Sequence, residues 1–580
     1  MEYLRILKRF AGKYTWALIC CPLVMIGEVV METLIPRQMT ELIDNIIPGA
    51  AESGNVSGVL VCGLIMVAFS LVSMAFGMAG SRLGAIGGMG FAANLRSALF
   101  GKVQTFSFKN IDKFSTSSIV TRLTTDVSQL QNTTIMMIKM AFRAPFQMIC
   151  ALVMALTISP TLSLVMVVAI PILVIGLALI MKSAHPRFRA MLDKYDALNG
   201  SVQENLIAIR VVKAFVRSKH EKEKFEISAD DVMNAQRSAE KIVLLNSPLM
   251  QIVMYSSICA VLFFGGTLIF GGDLKVGQLS AFITYITQVL FSLMMLSFLF
   301  ISFVMTKASC ARVNEVLKEE ADITSPEHGC TEIEDGSIVF DHVNFNYQGE
   351  KNNYVLQDIN LCIESGETIG VIGATGSAKT TLVSLIPRLY DVTEGKVLVG
   401  GRDVRDYDLH ALRDKVSMVL QKNVLFSGSI AENLRWGDAE ATDEEVTEAC
   451  KIASADGFVR SFPDGYQMDL GQGGVNVSGG QKQRLCIARA LLKKPKIMIL
   501  DDATSAVDTA TDASIRSALR TQMSGTTTII IAQRIASVKD ADRILVLDDG
   551  RIADIGTHDE LMARCDIYRE VYESQQKGAE

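Results

Sequence analysis

Residues 367–381, in the C-terminal half of the chain, read ETIGVIGATGSAKTT. A short apolar strand over residues 368–372 leads into a glycine-rich loop and then into a helix. Backbone N–H groups of such a loop, with the helix N-terminus, converge on anionic oxygens, so the pattern predicts a phosphate-binding loop. We expect Lys379 to reach the outer phosphates of a nucleotide and Thr380 to hold Mg²⁺. Ala378 takes the place of the last glycine in the usual pattern.

Two later segments support a nucleotide site. Residues 497–502 read IMILDD, an apolar strand ending in two acids, of which Asp501 is positioned to hold Mg²⁺. Residues 477–484 read VSGGQKQR directly before an apolar helix, so Ser478 and two glycines offer hydroxyl and N–H donors to another phosphate. A second phosphate cradle in one chain predicts that it serves a nucleotide held by another subunit.

The first 305 residues hold most of the hydrophobicity of a chain that is 49% hydrophobic and only 20% charged. A helix needs about 20 apolar residues to cross a bilayer. On that basis we predict six spans, over residues 14–36, 59–84, 140–159, 162–181, 244–270 and 279–305. The first span carries Glu28 and Glu32 and lacks a small-residue cleavage site, so it is not a signal peptide.

Lysine and arginine in the connections set the expected orientation. They are frequent in the N-terminus and in the second-to-third and fourth-to-fifth connections, and scarce in the other loops. This pattern places the N-terminus and the C-terminal domain in the cytoplasm of a multi-pass protein of the cell membrane. Both long connections have helical periodicity, so we expect them to extend the membrane helices into the cytoplasm.

Composition excludes several other classes of protein. The net charge of −6 argues against a nucleic-acid binder, and the apolar content argues against a disordered chain. Eleven cysteines without a CxxC pair argue against a disulfide framework or a zinc site.

With these motifs, nearly the whole chain resembles ATP-binding cassette (ABC) exporters, and VSGGQ resembles the cassette signature. Gln421 resembles the Q-loop glutamine that senses Mg²⁺, and Tyr347 resembles the aromatic that stacks on adenine. SAVD at 505–508 is similar to the loop that crosses to the partner cassette. The segments at 113–127 and 204–215 resemble the coupling helices that dock on the cassettes.

The resemblance implies a half-transporter that works as a dimer with ATP and Mg²⁺. Its fold class would be a six-helix α transmembrane domain with long cytoplasmic helical extensions (1–318), a linker (319–336) and an α/β P-loop NTPase domain (337–580). Metal ligands are expected at Thr380, Gln421 and Asp501. The residues expected to contact the nucleotide are Tyr347, Gly373, Ala374, Thr375, Gly376, Ser377, Ala378, Lys379, Thr380, Thr381, Gln421, Ser478, Gly479, Gly480 and Gln481.

Two catalytic positions depart from the family pattern. Asp502 replaces the glutamate that polarises the attacking water and is one methylene shorter, whereas a general base must lie within about 2.6–3.2 Å of its proton. Gln533 replaces the switch histidine, and GQGG at 471–474 replaces the usual GERG. The pattern predicts that this chain binds ATP at an impaired site, and that a second half-transporter supplies the catalytic glutamate and histidine.

The spans give a weaker indication of substrate. Glu28 and Glu32 could contact a cationic substrate or serve as bonds between helices. Lys139 and Arg143 are expected to reach toward lipid head groups. Met and Phe residues of the sixth span would suit amphipathic molecules or simple packing. The predicted function is therefore ATP-driven export of hydrophobic or amphipathic compounds from the cytoplasm or inner leaflet by alternating access; the alternative is a catalytically silent regulatory subunit of a lipid or peptide exporter.

Overall fold

The computed structural model describes residues 2–350 and 353–577. The chain divides into two compact units. One contains Thr116–Glu319 together with the residues up to Gln104, and the other contains Thr105–Ser115 together with the residues from Glu320 onward.

Helices of 6 to 48 residues make up the first half of the chain, and the seven-residue helix α5 belongs to the second unit. Their bounds are α1 (Glu2–Phe10), α2 (Thr15–Glu41), α3 (Ile47–Ser53), α4 (Ser57–Gln104), α5 (Phe108–Phe114), α6 (Thr116–Thr121), α7 (Val127–Ile158), α8 (Pro160–Ile207), α9 (Ile209–Ala214), α10 (Ser218–Val243), α11 (Asn246–Phe270) and α12 (Val276–Lys318).

Six helical stretches of the described residues are long and apolar enough to cross a membrane. They are Gly12–Ser53, Ser57–Gln104, Thr116–Ile158, Pro160–Ile207, Ser218–Phe270 and Val276–Lys318. The six predicted spans are thereby confirmed. The helices run well past the apolar segments, because the polar connections keep helical periodicity: α4 continues to Gln104 and α8 to Ile207.

Contacts between distant parts of the chain fix these helices. α2 packs along α4, where a Cβ on Gly90 would lie 2.3 Å from the Tyr14 ring, so only glycine allows this approach. A π-helical turn after α2 brings Asp44 to the start of α12, where its carboxylate accepts from the backbone N–H groups of Gly277 (2.6 Å) and Gln278 (3.1 Å). Asp44 therefore caps these two N–H groups, and the Gln278 side chain accepts from the N–H of the N-cap residue Lys275 at 3.0 Å.

The second unit contains two main sheets and a small two-stranded one. Its strands are β1 (Ile338–Phe345), β2 (Leu356–Ile363), β3 (Thr368–Ile372), β4 (Glu394–Val399), β5 (Arg402–Asp403), β6 (Val416–Val419), β7 (Gly428–Ser429), β8 (Asp469–Leu470), β9 (Ile497–Asp501), β10 (Thr527–Ile531), β11 (Arg543–Asp548) and β12 (Arg551–Gly556). Its remaining helices are α13 (Lys379–Ser384), α14 (Leu409–Lys415), α15 (Ile430–Leu434), α16 (Asp443–Ile452), α17 (Asp456–Ser461), α18 (Gly479–Leu492), α19 (Thr509–Gln522), α20 (His558–Arg564) and α21 (Asp566–Lys577).

Strand order positions the site. The larger sheet has the order β12-β11-β3-β10-β9-β6, and the pairs β3–β10 and β10–β9 are parallel. The carboxyl ends of three adjacent strands therefore meet at one edge, the usual place for a ligand in an open α/β sheet. β3 leads there into the glycine-rich loop, β9 ends in Asp501, and Gln533 follows β10. The predicted fold class is confirmed.

Candidate nucleotide site

The glycine-rich loop places Lys379 at the first turn of α13. Its ammonium donates to the backbone carbonyl oxygens of Gly373 (2.8 Å) and Ala374 (2.7 Å). Burial lowers the pKa of Lys379, and the nearby charges of Asp501 and Asp502 act in the opposite direction. A third bond from the ammonium reaches the Ser377 hydroxyl at 3.3 Å. Since these three bonds occupy all three N–H donors, binding a phosphate requires Lys379 to exchange at least one of them for a phosphate oxygen.

Ala378, the residue that breaks the usual glycine pattern, adopts φ +68° and ψ +23° immediately before α13. This left-handed conformation brings the Cβ of an L-residue too close to the following carbonyl, at a cost of roughly 1–2 kcal/mol that glycine avoids. The loop therefore keeps the backbone shape that a glycine would favour and carries strain at that position.

Two of the three residues expected at the metal, Thr380 and Asp501, fit Mg²⁺, whereas the Gln421 side chain is hydrogen-bonded to Asp502. Asp501 is 2% exposed, and its Oδ2 is buried without a hydrogen-bond partner in the described part of the chain. Burial raises the pKa of Asp501, and a hydrogen bond from Thr380 acts against that shift. An orphaned carboxylate oxygen beside a threonine hydroxyl suits a hard cation. No group of three or more His, Cys, Asp or Glu side chains is present among the described residues. Mg²⁺ is usually held by one or two carboxylates together with substrate phosphates and water.

Asp502 and Gln533, the two predicted catalytic positions, contact one another. The Gln533 side-chain amide donates to Asp502 Oδ2 at 3.0 Å. Burial raises the pKa of Asp502, whereas hydrogen bonds from Ser505, Gln421 and Gln533 lower it. Asp502 also has φ +50°, a conformation that Asp tolerates better than most residues. The carboxylate is thus held in place by amide and hydroxyl donors.

The signature residues begin α18. The Ser478 hydroxyl accepts from the Gln481 N–H, and the Gln481 side chain accepts from the Ser478 N–H, which together form a capping box. A Cβ on Gly480 would lie 2.7 Å from the carbonyl oxygen of Ala506, so glycine is required there. Ser478 and Gly479 are exposed in the single chain, which leaves this helix start accessible to a partner.

Sequence reasoning missed two glutamines that hold the site loops. Gln483 is buried; its side-chain amide nitrogen donates to the Ser505 hydroxyl at 3.2 Å, and its oxygen accepts from the Ala506 N–H at 3.0 Å. Gln575 of α21 donates to the Gln533 carbonyl oxygen at 2.8 Å. Gln483 could have been predicted as a site residue, because it lies two residues after the signature. The contact of Gln575 could not, because it joins residues 42 apart in the sequence.

The candidate adenine contact is linked to α5. Tyr347 is 41% exposed, bonds the Thr381 hydroxyl at 2.8 Å, and meets the edge of the Tyr390 ring at a centroid distance of 5.1 Å. Tyr390 in turn donates to the Asp112 carboxylate at 2.9 Å, and burial raises the Tyr390 pKa. Because α5 belongs to the same compact unit, the adenine side of the site and this helix share one network.

The two membrane acids are ion-paired. Arg143 of α7 contacts Glu28 at 3.2 Å and Glu32 at 2.9 Å, both on α2. The expectation that Arg143 reaches toward lipid head groups is therefore wrong, because two carboxylates one helical turn apart lie opposite it. Lys139 donates to the Ser81 hydroxyl at 3.0 Å.

The phosphate loop after β3, the buried acid Asp501 at the end of β9 and the six spans are together the features of an ATP-binding membrane transporter. The chain belongs to the ABC transporter family: residues 18–294 match the ABC transporter transmembrane region and residues 356–505 match the ABC transporter domain.

Curated relatives cover most of the chain. The uncharacterised ABC transporter ATP-binding protein YfiB of Bacillus subtilis is 37% identical over 95% of both chains. The probable multidrug resistance ABC transporter ATP-binding/permease protein YheI of B. subtilis is 35% identical over 83% of this chain and 82% of its own. A fatty acid ABC transporter ATP-binding/permease protein of Mycobacterium bovis is 34% identical over 82% and 75%, respectively.

The fold has a close counterpart among solved structures. A bacterial Atm1-family ABC exporter with ATP bound superposes with a TM-score of 0.81, at 23% identity over 97% of this chain and 98% of that one. The chain therefore has the fold of an ABC exporter half-transporter, a multi-pass membrane protein.

Proposed function

We propose that the chain is one subunit of a heterodimeric ABC exporter and carries the impaired ATP site of the pair. It would move hydrophobic or amphipathic compounds out of the cytoplasm or inner leaflet of the cell membrane by alternating access. The observation that carries this proposal is the hydrogen bond between Gln533 and Asp502. A competent site needs a longer carboxylate at the position of Asp502 and a titratable side chain at the position of Gln533.

Binding and hydrolysis make different demands on this site. Lys379, Thr380 and Asp501 supply the cation, hydroxyl and carboxylate that hold Mg²⁺ and the phosphates. Hydrolysis further needs a base that reaches the attacking water, and Asp502 is one methylene shorter than glutamate. A glutamine amide can donate a hydrogen bond but cannot carry a proton as an imidazole does. We therefore infer tight nucleotide binding with slow turnover.

The exposed signature supports a role in a second site. Ser478 at the start of α18 is accessible in the single chain, and the N-terminus of a helix suits an anionic phosphate. In the proposed heterodimer, this chain lends its signature to a nucleotide held by the partner, which supplies the catalytic glutamate and the switch histidine. A homodimer would instead contain two impaired sites.

The direct test uses the purified full chain in lipid nanodiscs. We expect saturable binding of radiolabelled ATP in the presence of Mg²⁺, together with little phosphate release. Lys379→Ala serves as the control, because loss of the phosphate-binding cation should abolish binding. Brisk, Mg²⁺-dependent ATP hydrolysis by the chain alone would contradict the proposal.

A further inference from the structure

The side-chain amide of Gln575, near the end of α21, bonds the backbone on both sides of Arg534 in the loop after β10. Its oxygen accepts from the Ile535 N–H at 2.9 Å, and its nitrogen donates to the Gln533 carbonyl oxygen at 2.8 Å. Arg534 is extended, with φ −97° and ψ +125°, so the groups before and after it point to the same side. The amide therefore pairs with this loop much as a neighbouring β-strand would.

This pairing requires a carboxamide. Ile535 begins the 3-10 turn Ile535–Ser537, and the preceding residue Arg534 provides no side-chain cap for it, so Gln575 satisfies the first N–H of the turn. An ionised glutamate could accept from that N–H but could not donate to the Gln533 carbonyl, and a leucine could do neither. The side chain thus matches two backbone groups of opposite polarity.

The core of the domain holds α21 in place. Tyr568 of α21 is fully buried, and its hydroxyl bonds His558 Nδ1 at 2.8 Å. Tyr568 belongs to the same buried apolar cluster as Ile535, the residue that Gln575 caps. Gln575 follows Tyr568 by seven residues, about two helical turns, so both lie on one face of the helix. The amide is therefore presented to the loop by a helix that is already anchored.

Gln533 has no packing that would fix its direction, because its side chain is exposed. Its amide nevertheless donates to Asp502 Oδ2 at 3.0 Å. The charge of Asp502 acts on Lys379, the lysine of the phosphate loop, so this bond lies at the phosphate end of the site. The direction of the Gln533 side chain therefore depends on where its backbone is held.

We propose that Gln575 is a positioning residue of the nucleotide site, which clamps the backbone around Arg534 and so directs the Gln533 side chain to Asp502 and the outermost phosphate of ATP. The inference rests on the proposed binding of ATP at this chain's own site and adds the C-terminal helix to that site. ADP lacks the outermost phosphate. Loss of the clamp should therefore weaken binding of ATP and leave binding of ADP nearly unchanged.

Hydrogen exchange in the nucleotide-free full chain in nanodiscs tests the clamp itself, by mass spectrometry with fragmentation to single amides. In Gln575→Leu, we expect the Ile535 amide to exchange at least about fivefold faster than in the wild type, because its N–H has lost the acceptor that protects it. Gln576→Leu, at the exposed neighbour of the same residue type, is the matched control and should leave that rate unchanged.

Equilibrium binding of radiolabelled ATP and ADP with Mg²⁺ tests what the clamp does for the site. We expect Gln575→Leu to weaken ATP binding by at least about fivefold relative to ADP binding, the loss that one hydrogen bond implies. Gln576→Leu should change neither affinity. Thermal midpoints are recorded for every variant, since a general destabilisation would lower both affinities together.

A double-mutant cycle with Gln533→Ala assigns the effect to Gln533. If Gln575 acts through that side chain, Gln575→Leu should cause no further loss of ATP affinity in the Gln533→Ala background. A merely structural role of Gln575 would instead add its full cost in that background.

Three results would overturn the clamp: an unchanged exchange rate of the Ile535 amide in Gln575→Leu, an ATP affinity that does not fall relative to the ADP affinity, or additive effects of Gln575→Leu and Gln533→Ala. Brisk hydrolysis of the labelled ATP, or no binding of ATP by the wild type, would contradict the proposed function instead. The exchange measurement needs no nucleotide, so it would still decide whether the clamp exists.

Discussion

The Gln533 side-chain amide donates a hydrogen bond to the Asp502 carboxylate at 3.0 Å, and the Gln533 carbonyl oxygen accepts one from Gln575. The loop after β10 is thereby tied both to the acid that follows β9 and to α21. In the proposed function, this connection holds a nucleotide site in a form that binds ATP and turns it over slowly.

Replacing Ala378 by glycine should stabilise the protein. Ala378 has φ +68°, so glycine removes strain of roughly 1 kcal/mol. The measurement is the free energy of unfolding of the nucleotide-binding domain within the full chain, by denaturant titration followed by limited proteolysis. Ala513→Gly, at an exposed position within α19, is the matched control and should destabilise by about 0.5–1 kcal/mol. Equal effects of the two variants would show that Ala378 is unstrained.

Asp501→Asn should stabilise the nucleotide-free protein and abolish stabilisation by Mg²⁺–ATP. The buried Oδ2 has no partner in the described structure, a situation that costs about 1–3 kcal/mol. Because burial raises the pKa of Asp501 in the folded state, the stabilising protonated form is lost as pH rises through that pKa. Without Mg²⁺, the thermal midpoint of the wild type should therefore fall with rising pH more steeply than that of the variant.

Asp508→Asn is the control for that titration. Hydrogen bonds from Thr511 lower the pKa of Asp508, so its contribution to stability is present at neutral pH and fades as pH falls. At neutral pH, Asp501→Asn should therefore raise the thermal midpoint relative to the wild type and Asp508→Asn should lower it, and both differences should fade as the pH falls. Parallel pH profiles would contradict the assignment of Asp501 as the orphaned metal ligand.

Ser478→Arg should reduce ATPase activity of the heterodimer far more than Asp502→Asn does. The first change blocks the signature that completes the partner's site, and the second alters a site that already turns over slowly. We expect a loss of at least about a hundredfold, or 2.7 kcal/mol, for Ser478→Arg and less than about twofold for Asp502→Asn. Steady-state phosphate release from the reconstituted heterodimer measures both.

A loss of helix capping must be separated from a loss of the phosphate contact. Ser429 caps α15 through the same capping-box geometry, so Ser429→Ala should have a similar cost in stability and leave ATPase activity near that of the wild type. If Asp502→Asn were the more damaging change, the assignment of the two sites would be reversed.

Local patterns predicted the spans and the strand-loop-helix of the phosphate site, because apolar run length and glycine spacing are local properties. The helical extensions were predicted as well: the second span was predicted at 59–84 with a helical connection after it, and α4 continues to Gln104 because its polar continuation keeps helical periodicity. The pairing of Arg143 with Glu32 joins residues 111 apart and depends on helix packing. The backbone strain at Ala378 and the hydrogen bonds of Gln483 with Ser505 and Ala506 likewise depend on three-dimensional geometry.

Single-turnover hydrolysis at this chain's own site distinguishes an impaired ATP site from a competent one. It is measured in a heterodimer whose partner site has been disabled, for the wild type and for Asp502→Glu/Gln533→His. The double variant restores both a carboxylate long enough to reach the attacking water and an imidazole that can carry a proton. Because the two groups act together, each single change should recover little of the hydrolysis rate. We predict slow release of phosphate in the wild type and a gain of at least about tenfold in the double variant, or 1.4 kcal/mol. Thermal midpoints accompany the rates, because glutamate at φ +50° costs some stability. Hydrolysis by the wild type as fast as by the double variant, on the timescale of a competent transporter, would contradict the account.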